Sequence, residues 1–187
     1  MKKIKKLYFY AKNLIFPIPT NGVSKFQVLA TLNKNSFSFD CTKCGKCCYG
    51  PGNVYFSQKD CINIKKYLKL NEDQWNQLAQ RIFHKNQNGI YIHKTYNKCY
   101  FLDEKNRCRI YPVRPLQCRT FPFWPSYFSK LKELENLIHS CPGSKLVDFQ
   151  KNAKTYSVDE IVYYCNKTIK KFNRSQTSQN KNDLIKL

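Results

Sequence analysis

The chain has 187 residues, with 33 Lys or Arg against 12 Asp or Glu, for a formal net charge of +21. That length fits one modest domain with tails, and no apolar run reaches the roughly 20 residues that a membrane helix needs. Ten cysteines would suit a disulfide scaffold in a secreted protein, but the start of the chain does not read as an export signal. Residues 1–6 are basic, yet Lys12 and Asn13 interrupt the apolar segment that follows, Pro17 and Pro19 come next, and no small-residue cleavage site is present. The expected location is a reducing cytoplasm, where clustered cysteines serve metals more often than disulfides.

The charge invites a nucleic-acid reading, because basic surfaces neutralise phosphates and release counterions. Lysine and asparagine are spread along the whole chain, which is compositional bias rather than one basic face. Metal-bound thiolates also change the sum: eight ionised cysteines on two divalent ions contribute about −4 by charge counting. Affinity for polyanions is expected; specific readout is not indicated.

In chain order, residues 1–35 read as a basic arm. Ile4, Leu7, Tyr8, Ala11 and Ile15 recur at helical spacing among Lys2, Lys3, Lys5, Lys6 and Lys12. Such a segment suits a short helix docked on the domain better than one lying on an anionic membrane. Then comes Cys41-Thr42-Lys43-Cys44-Gly45-Lys46-Cys47-Cys48, four cysteines in eight residues. Thiolates are soft ligands that select zinc, copper(I) or iron–sulfur clusters. A Cys-x-x-Cys step lets two sulfurs reach one ion, and Gly45 eases the turn between steps. Cys47 and Cys48 leave the backbone in different directions. They serve one centre only if the chain bends sharply; otherwise they serve two, or one of them is a supporting or redox thiol.

Gly50-Pro51-Gly52 predicts a turn. Ser57 is the expected N-cap of a helix with Asp60 at its third position, burying Cys61, Ile64 and Leu68; this spacing makes Cys61 a core residue rather than a ligand. A second helix is expected from Asn71, with Trp75, Leu78, Ala79, Ile82 and Phe83 along one stripe and His84 at its end. Gly89 opens a β-like stretch, 90–93, in which His93 reads as a hydrogen-bonded histidine rather than a nitrogen ligand. Residues 98–102 and 107–111 read as a hairpin around Asp103-Glu104-Lys105-Asn106. Cys99 and Cys108 flank that turn and could converge on one ion.

Two prolines, Pro112 and Pro115, bracket Arg114 and fix the entry to a short helical turn. Arg114 and Arg119 flank Cys118, where guanidinium groups would lower a thiol pKa and offset thiolate charge. Phe128, Leu131, Leu134, Leu137 and Ile138 fit a helix, and Cys141-Pro142-Gly143 a turn that presents a thiolate. A last helix starts at Ser157 with Glu160 completing a capping box; its stripe is Val158, Ile161, Val162, Cys165, Ile169 and Phe172, so Cys165 is core. The polar residues 173–187 read as a disordered tail. The expected fold is α+β: a small irregular metal-stapled domain over 36–145 with several helices and a short β-hairpin, followed by a C-terminal helix over 146–172.

Several of these residues form a known pattern: Phe39-x-Cys41-x-x-Cys44-Gly45-x-Cys47-Cys48, Cys99-x-Phe101-Leu102-Asp103, Cys108-x-Ile110-Tyr111, Arg114-Pro115-x-x-Cys118-Arg119-x-Phe121-Pro122 and Cys141-Pro142-Gly143. In order and combination it resembles the YkgJ-like cysteine-cluster family, the zinc- or iron-chelating CxxCxxCC domain. The resemblance implies a metal-chelating module and does not extend to the lysine-rich ends. The same domain is similar to one in a flagellin lysine N-methylase, but this chain has no glycine-rich loop to seat S-adenosylmethionine.

Setting aside Cys61 and Cys165 leaves Cys41, Cys44, Cys47, Cys48, Cys99, Cys108, Cys118 and Cys141 as candidate ligands. Two closed zinc–thiolate sites would use all eight. Alternatively, Cys41, Cys44 and Cys47 echo a ferredoxin run that a remote Cys-Pro cysteine, here Cys141, often completes; the spacing leans slightly toward iron for this motif. Three functional classes follow. A metal-binding protein, serving a structural role or a partner not identifiable from the sequence, predicts coordination without turnover. A metal-dependent enzyme predicts an open coordination position and a catalytic base, for which Tyr111, Asp103 and His139 are candidates without a recognisable constellation. A nucleic-acid-binding module predicts steep salt dependence with sequence preference.

Overall fold

A computed structural model of the protein describes residues 22–85, 90–145 and 153–183. The apolar spacing expected for residues 4–15 therefore lies outside the described residues, as does Gly89. The architecture is α+β, and the described chain divides into two compact units. One unit, here the inserted unit, holds 48–119 together with the chain from Phe172; the other, the split unit, holds the described residues before Cys48 and then 120–171. Among the described residues no helix is long and apolar enough to cross a membrane.

The split unit starts with helix α1, Lys25–Leu32. Ser24 and Gln27 close a reciprocal capping box, and Asn33 ends the helix in the left-handed region at φ 52°. This helix corrects the expectation of an arm reaching residue 35, since Val28 is fully buried in the unit's core. The capping box was present in the sequence, but eight residues give a short, weak periodicity. Strand β1, Ser36–Ser38, later pairs antiparallel with a strand at Thr155–Ser157, placing Phe37 opposite Tyr156.

The inserted unit opens with strand β2, Gly52–Phe56. Helix α2, Gln58–Tyr67, has the expected Ser57–Asp60 capping box and buries Cys61 and Ile64. Helix α3, Glu72–Ile82, is capped by Asn71. Strands β3, His84–Lys85, and β4, Tyr91–Thr95, complete a sheet of order β2-β4-β3. In it Gly52 stands opposite Thr95 and Phe56 opposite Tyr91. His84 is thus a strand residue paired with Ile92, not the end of a helix. The core gathers Phe56, Ile64, Phe83, Phe101 and Ile110; burying each such side chain stabilises the fold by about 1.5–3 kcal/mol.

The ladder in this unit runs between β2 and β4, Lys98 pairs with Tyr49, and the hairpin expected over 98–111 is reduced to one bridge, Leu102 with Cys108. The turn between them forms as expected, with Asp103 N–H donating to the Arg107 carbonyl and Asn106 left-handed at φ 59°. Pairing stops there because a 3-10 turn, Tyr111–Val113, with Pro112 inside it, replaces the second strand. Helix α4, Leu116–Arg119, is the short helical turn that the prolines announce.

Back in the split unit, the segment read as one helix over 126–138 is two, α5 at Pro125–Phe128 and α6 at Leu131–Ser140. The break turns Phe128, Leu134 and Leu137 inward and leaves Leu131 exposed. Cys141 caps α6, and Pro142–Lys145 forms one helical turn, α7. Strand β5, Thr155–Ser157, leads into α8, Val158–Asp183. Ser157 and Glu160 close its capping box: the Glu160 carboxylate accepts the Ser157 N–H at 2.9 Å, and Ser157 Oγ accepts the Glu160 N–H at 3.3 Å. Val158, Ile161, Cys165 and Ile169 are buried. The helix continues to Asp183, which corrects the expected disordered tail from 173. No glycine or proline follows Gly143, and Gln and Lys are good helix formers.

Candidate metal centre

The cysteine motif coils rather than extends. Lys43 and Gly45 both lie in the left-handed region, at φ 55° and 72°, and a 3-10 turn, Lys46–Cys48, follows. Glycine adopts that conformation freely, as the sequence suggested. Lys43 does so at a cost of about 1–2 kcal/mol, a cost the surrounding contacts must meet.

In the split unit, the backbone just before Cys41 is clamped from two sides. Phe39 N–H donates to the Lys154 carbonyl at 3.0 Å, and Asp40 N–H donates to the Gly143 carbonyl at 3.2 Å. A Cβ at residue 143 would sit 2.1 Å from the Asp40 carbonyl oxygen and 2.9 Å from a Phe39 ring carbon. Only glycine allows this approach, and it brings the chain after Cys141 against the chain before Cys41. Cys141 packs against the unit's core. Burial pushes its thiol pKa up, and the neighbouring polar groups of Ser144 and Gly143 offset this only in part. The Ser144 N–H donates to the Cys141 carbonyl at 3.1 Å, which closes the turn that presents the sulfur. Cys41 and Cys47 are exposed and Cys44 is half-buried.

In the inserted unit, Cys99 N–H donates to the Cys48 carbonyl at 2.8 Å. With Tyr49 paired to Lys98, Cys48 and Cys99 are directly opposed across the bridge, positions whose side chains share one face. The Tyr49 hydroxyl donates to Asn106 in the turn that precedes Cys108. Cys99 and Cys108 both pack against the same core. Cys118 follows Gln117, whose side chain spans β2: it donates to the Asn53 carbonyl at 3.2 Å and accepts the Tyr55 N–H at 2.9 Å. All four cysteines are half-buried.

None of the ten cysteines is in a disulfide. Cys61 and Cys165 are buried, and burial pushes both thiols up to about 12, which suits core residues and not ligands. His93 is also structural, as expected. Its Nδ1 lies 3.0 Å from the Ile82 carbonyl and its Nε2 accepts the Tyr100 N–H at 3.1 Å, so both ring nitrogens are used. Burial holds its pKa below the ordinary value. Among the described residues no three His, Cys, Asp or Glu side chains already stand as a preformed ion cage. The remaining donors are thiols alone, a set that fits zinc or iron–sulfur chemistry, and an ion would draw them in as it binds.

The flanking arginines are placed as follows. Arg114 lies 3.5 Å over the Tyr111 ring and its Nε donates to the Tyr111 carbonyl at 2.9 Å, whereas Arg119 is exposed at the end of α4. The sequence reading passed over a different set of cations. Arg109 donates to the Tyr100 carbonyl at 2.8 Å and stacks on the Tyr100 ring, as does Arg81. An open cleft of about 390 Å³ brings Arg81, Lys94 and Lys98 to Cys99. Only the Arg109 position, next to Cys108, carried a signal in the sequence. The three candidates for a catalytic base are spread apart: Asp103 accepts the Arg107 N–H and Nε, Tyr111 lies under Arg114, and His139 is exposed on α6.

A family model described as "Putative zinc- or iron-chelating domain", CxxCxxCC, matches residues 40–142, more than half of the chain. The chain belongs to the CxxCxxCC family. The match runs from the residue before Cys41 to the residue after Cys141, so it encloses all eight candidate ligands. One chain similar to this one is "Uncharacterized protein MJ0661" of Methanocaldococcus jannaschii, 38% identical over 92 residues. That alignment covers 48% of this chain and 47% of the relative, so the chain spans about half the length of the curated relative it matches. No solved structure matches the chain.

Proposed function

We propose that this CxxCxxCC protein is a cytoplasmic metal-chelating protein that holds zinc or iron through the thiolates of Cys41, Cys44, Cys47, Cys48, Cys99, Cys108, Cys118 and Cys141. The observation that carries the reading is the match of the chelating-domain family to residues 40–142, which enclose all eight of these cysteines. In the split unit the Asp40–Gly143 hydrogen bond brings the chain after Cys141 to the chain before Cys41, so thiols distant in sequence are held in one region, where soft donors suit zinc or iron. Cys61 and Cys165 lie outside this set, sealed in apolar cores.

The role proposed is coordination of the metal by these thiolates. Anaerobic purification followed by elemental analysis and visible absorption tests it. Stoichiometric zinc, or iron with or without acid-labile sulfide, is expected, and this metal should fall when Cys141 is replaced by serine. A chain that carries neither metal and takes up neither on reconstitution would overturn the proposal.

A further inference from the structure

We infer that the eight cysteines divide into two separate four-thiolate centres, Cys41, Cys44, Cys47 and Cys141 in the split unit and Cys48, Cys99, Cys108 and Cys118 in the inserted unit, with the first centre yielding its ion more readily. The inference rests on the reading that these thiols chelate zinc or iron, and it adds the partition and the unequal lability.

The adjacent pair Cys47–Cys48 is where the two sets meet in sequence. The chain passes from the split unit to the inserted unit between these two residues and returns between Arg119 and Thr120. Each unit thereby receives four of the eight cysteines, the number that closes a tetrahedral thiolate site. Each set is held by its own backbone pairings. The Asp40–Gly143 hydrogen bond and the glycine contact bring the two ends of the first set together. The Cys48–Cys99 hydrogen bond, the Tyr49–Asn106 bond and the Leu102–Cys108 bridge gather the second set. Gln117 ties the helix of Cys118 to β2, the strand that begins soon after Cys48.

The two sets differ in how open they are. Cys41 and Cys47 are exposed, whereas all four cysteines of the second set are half-buried. Arg81, Lys94 and Lys98 line one open cleft with Cys99, a positive surround that suits the net negative charge of four thiolates on a divalent ion. A competing ligand reaches the first ion with less rearrangement, so the first centre exchanges first.

The test uses the full-length protein loaded with zinc, and separately with cobalt(II), whose thiolate charge-transfer absorption reports sulfur ligands. Wild type is expected to hold two ions per chain and to release them to excess chelator in two phases. Cys41→Ser with Cys141→Ser should abolish the fast phase and leave one ion; Cys99→Ser with Cys108→Ser should abolish the slow phase and leave one ion. The adjacent variants are the most discriminating, because Cys47→Ser should act on the fast phase alone and Cys48→Ser on the slow phase alone. Far-UV circular dichroism identifies a variant that has lost its fold, and for such a variant the thiolate bands of the remaining cobalt centre still report whether four sulfurs surround it. Loss of both ions from either double variant, or the same phase affected by Cys47→Ser and Cys48→Ser, would overturn the partition while leaving metal chelation intact. A wild type that binds no metal would overturn both readings.

Discussion

Replacing Gly143 with alanine attacks the geometry of the split-unit site without touching a sulfur. The added Cβ would lie 2.1 Å from the Asp40 carbonyl oxygen and 2.9 Å from the Phe39 ring. The first neighbour is backbone and cannot rotate away, so residues 40 and 143 must move apart. Overpacking of this kind costs about 1–3 kcal/mol, and losing the Asp40–Gly143 hydrogen bond adds about 1 kcal/mol. A net loss of about 2–4 kcal/mol is a large share of the 5–15 kcal/mol typical of a whole protein. In a chain of this length it lowers Tm by roughly 4–16 °C. The assay is urea and thermal denaturation followed by circular dichroism, with metal content measured on the same samples. Glycine to alanine should cost stability and lower occupancy of the split-unit centre while the other ion is retained. An unchanged midpoint with full metal content would refute the reasoning that this contact aligns Cys141 with Cys41.

Cys165→Ser should leave metal content unchanged yet destabilise the fold by about 1–3 kcal/mol, because it places a hydroxyl without a hydrogen-bond partner in an apolar core; Cys165→Ala tested by the same melts should cost less. In native protein at mildly alkaline pH, mass spectrometry after alkylation should find Cys61 and Cys165 unlabelled, their thiols being pushed up to about 12, and both should label in denaturant. Gly45→Ala forces a Cβ into the left-handed region at φ 72°, at about 1–2 kcal/mol, and competition titration should show weaker binding by the Cys41–Cys47 motif. Glu160 has its pKa lowered, chiefly by the Ser157 N–H and then by the Ser157 hydroxyl. A depressed carboxyl pKa stabilises the fold fully above the unfolded value of 4.5 and loses that contribution as pH falls through the folded value. Thermal melts of Glu160→Gln should therefore show a flatter dependence on pH below about 4.5 than wild type; parallel profiles would remove Glu160 from the account.

What was legible in the sequence is what local chemistry fixes. The caps at Ser57 and Ser157 are side-chain-to-backbone contacts spanning three residues, and both form as read; Asn71, read only as the start of a helix, caps its helix in the same way. Cys61 and Cys165 announced themselves as core by sharing a helical stripe with Ile64 and Ile161. The misread elements depend on distant partners. Strand β2 is legible only once β4 lies beside it, because Gly50-Pro51-Gly52 reads as a turn and Val54-Tyr55-Phe56 is too short to show alternation. The region around Cys99 and Cys108 has strand-like composition, but Pro112 and the 3-10 turn withhold the ladder. For the site, spacing found the eight candidate cysteines, whereas their grouping needed the Asp40–Gly143 and Cys48–Cys99 pairings, which join residues about a hundred and about fifty positions apart. Arg114 was expected to face a thiolate. Its guanidinium stacks on Tyr111, because an aromatic ring three residues back is the nearer partner for a chain held between two prolines.

The nested order of the chain sets a timetable for biosynthesis. Residues 48–119 are contiguous, so Cys48, Cys99, Cys108 and Cys118 all leave the ribosome before the split unit receives its second half. Cys41, Cys44 and Cys47 emerge earlier still, yet Cys141 and the glycine that seats it arrive only after the whole inserted segment has been made. For that interval the three thiols of the motif are without Cys141 and open to oxidation or to capture by a passing ion. A chain truncated before residue 120 should reproduce that interval, and the metal it retains in a reducing buffer would show which centre forms first.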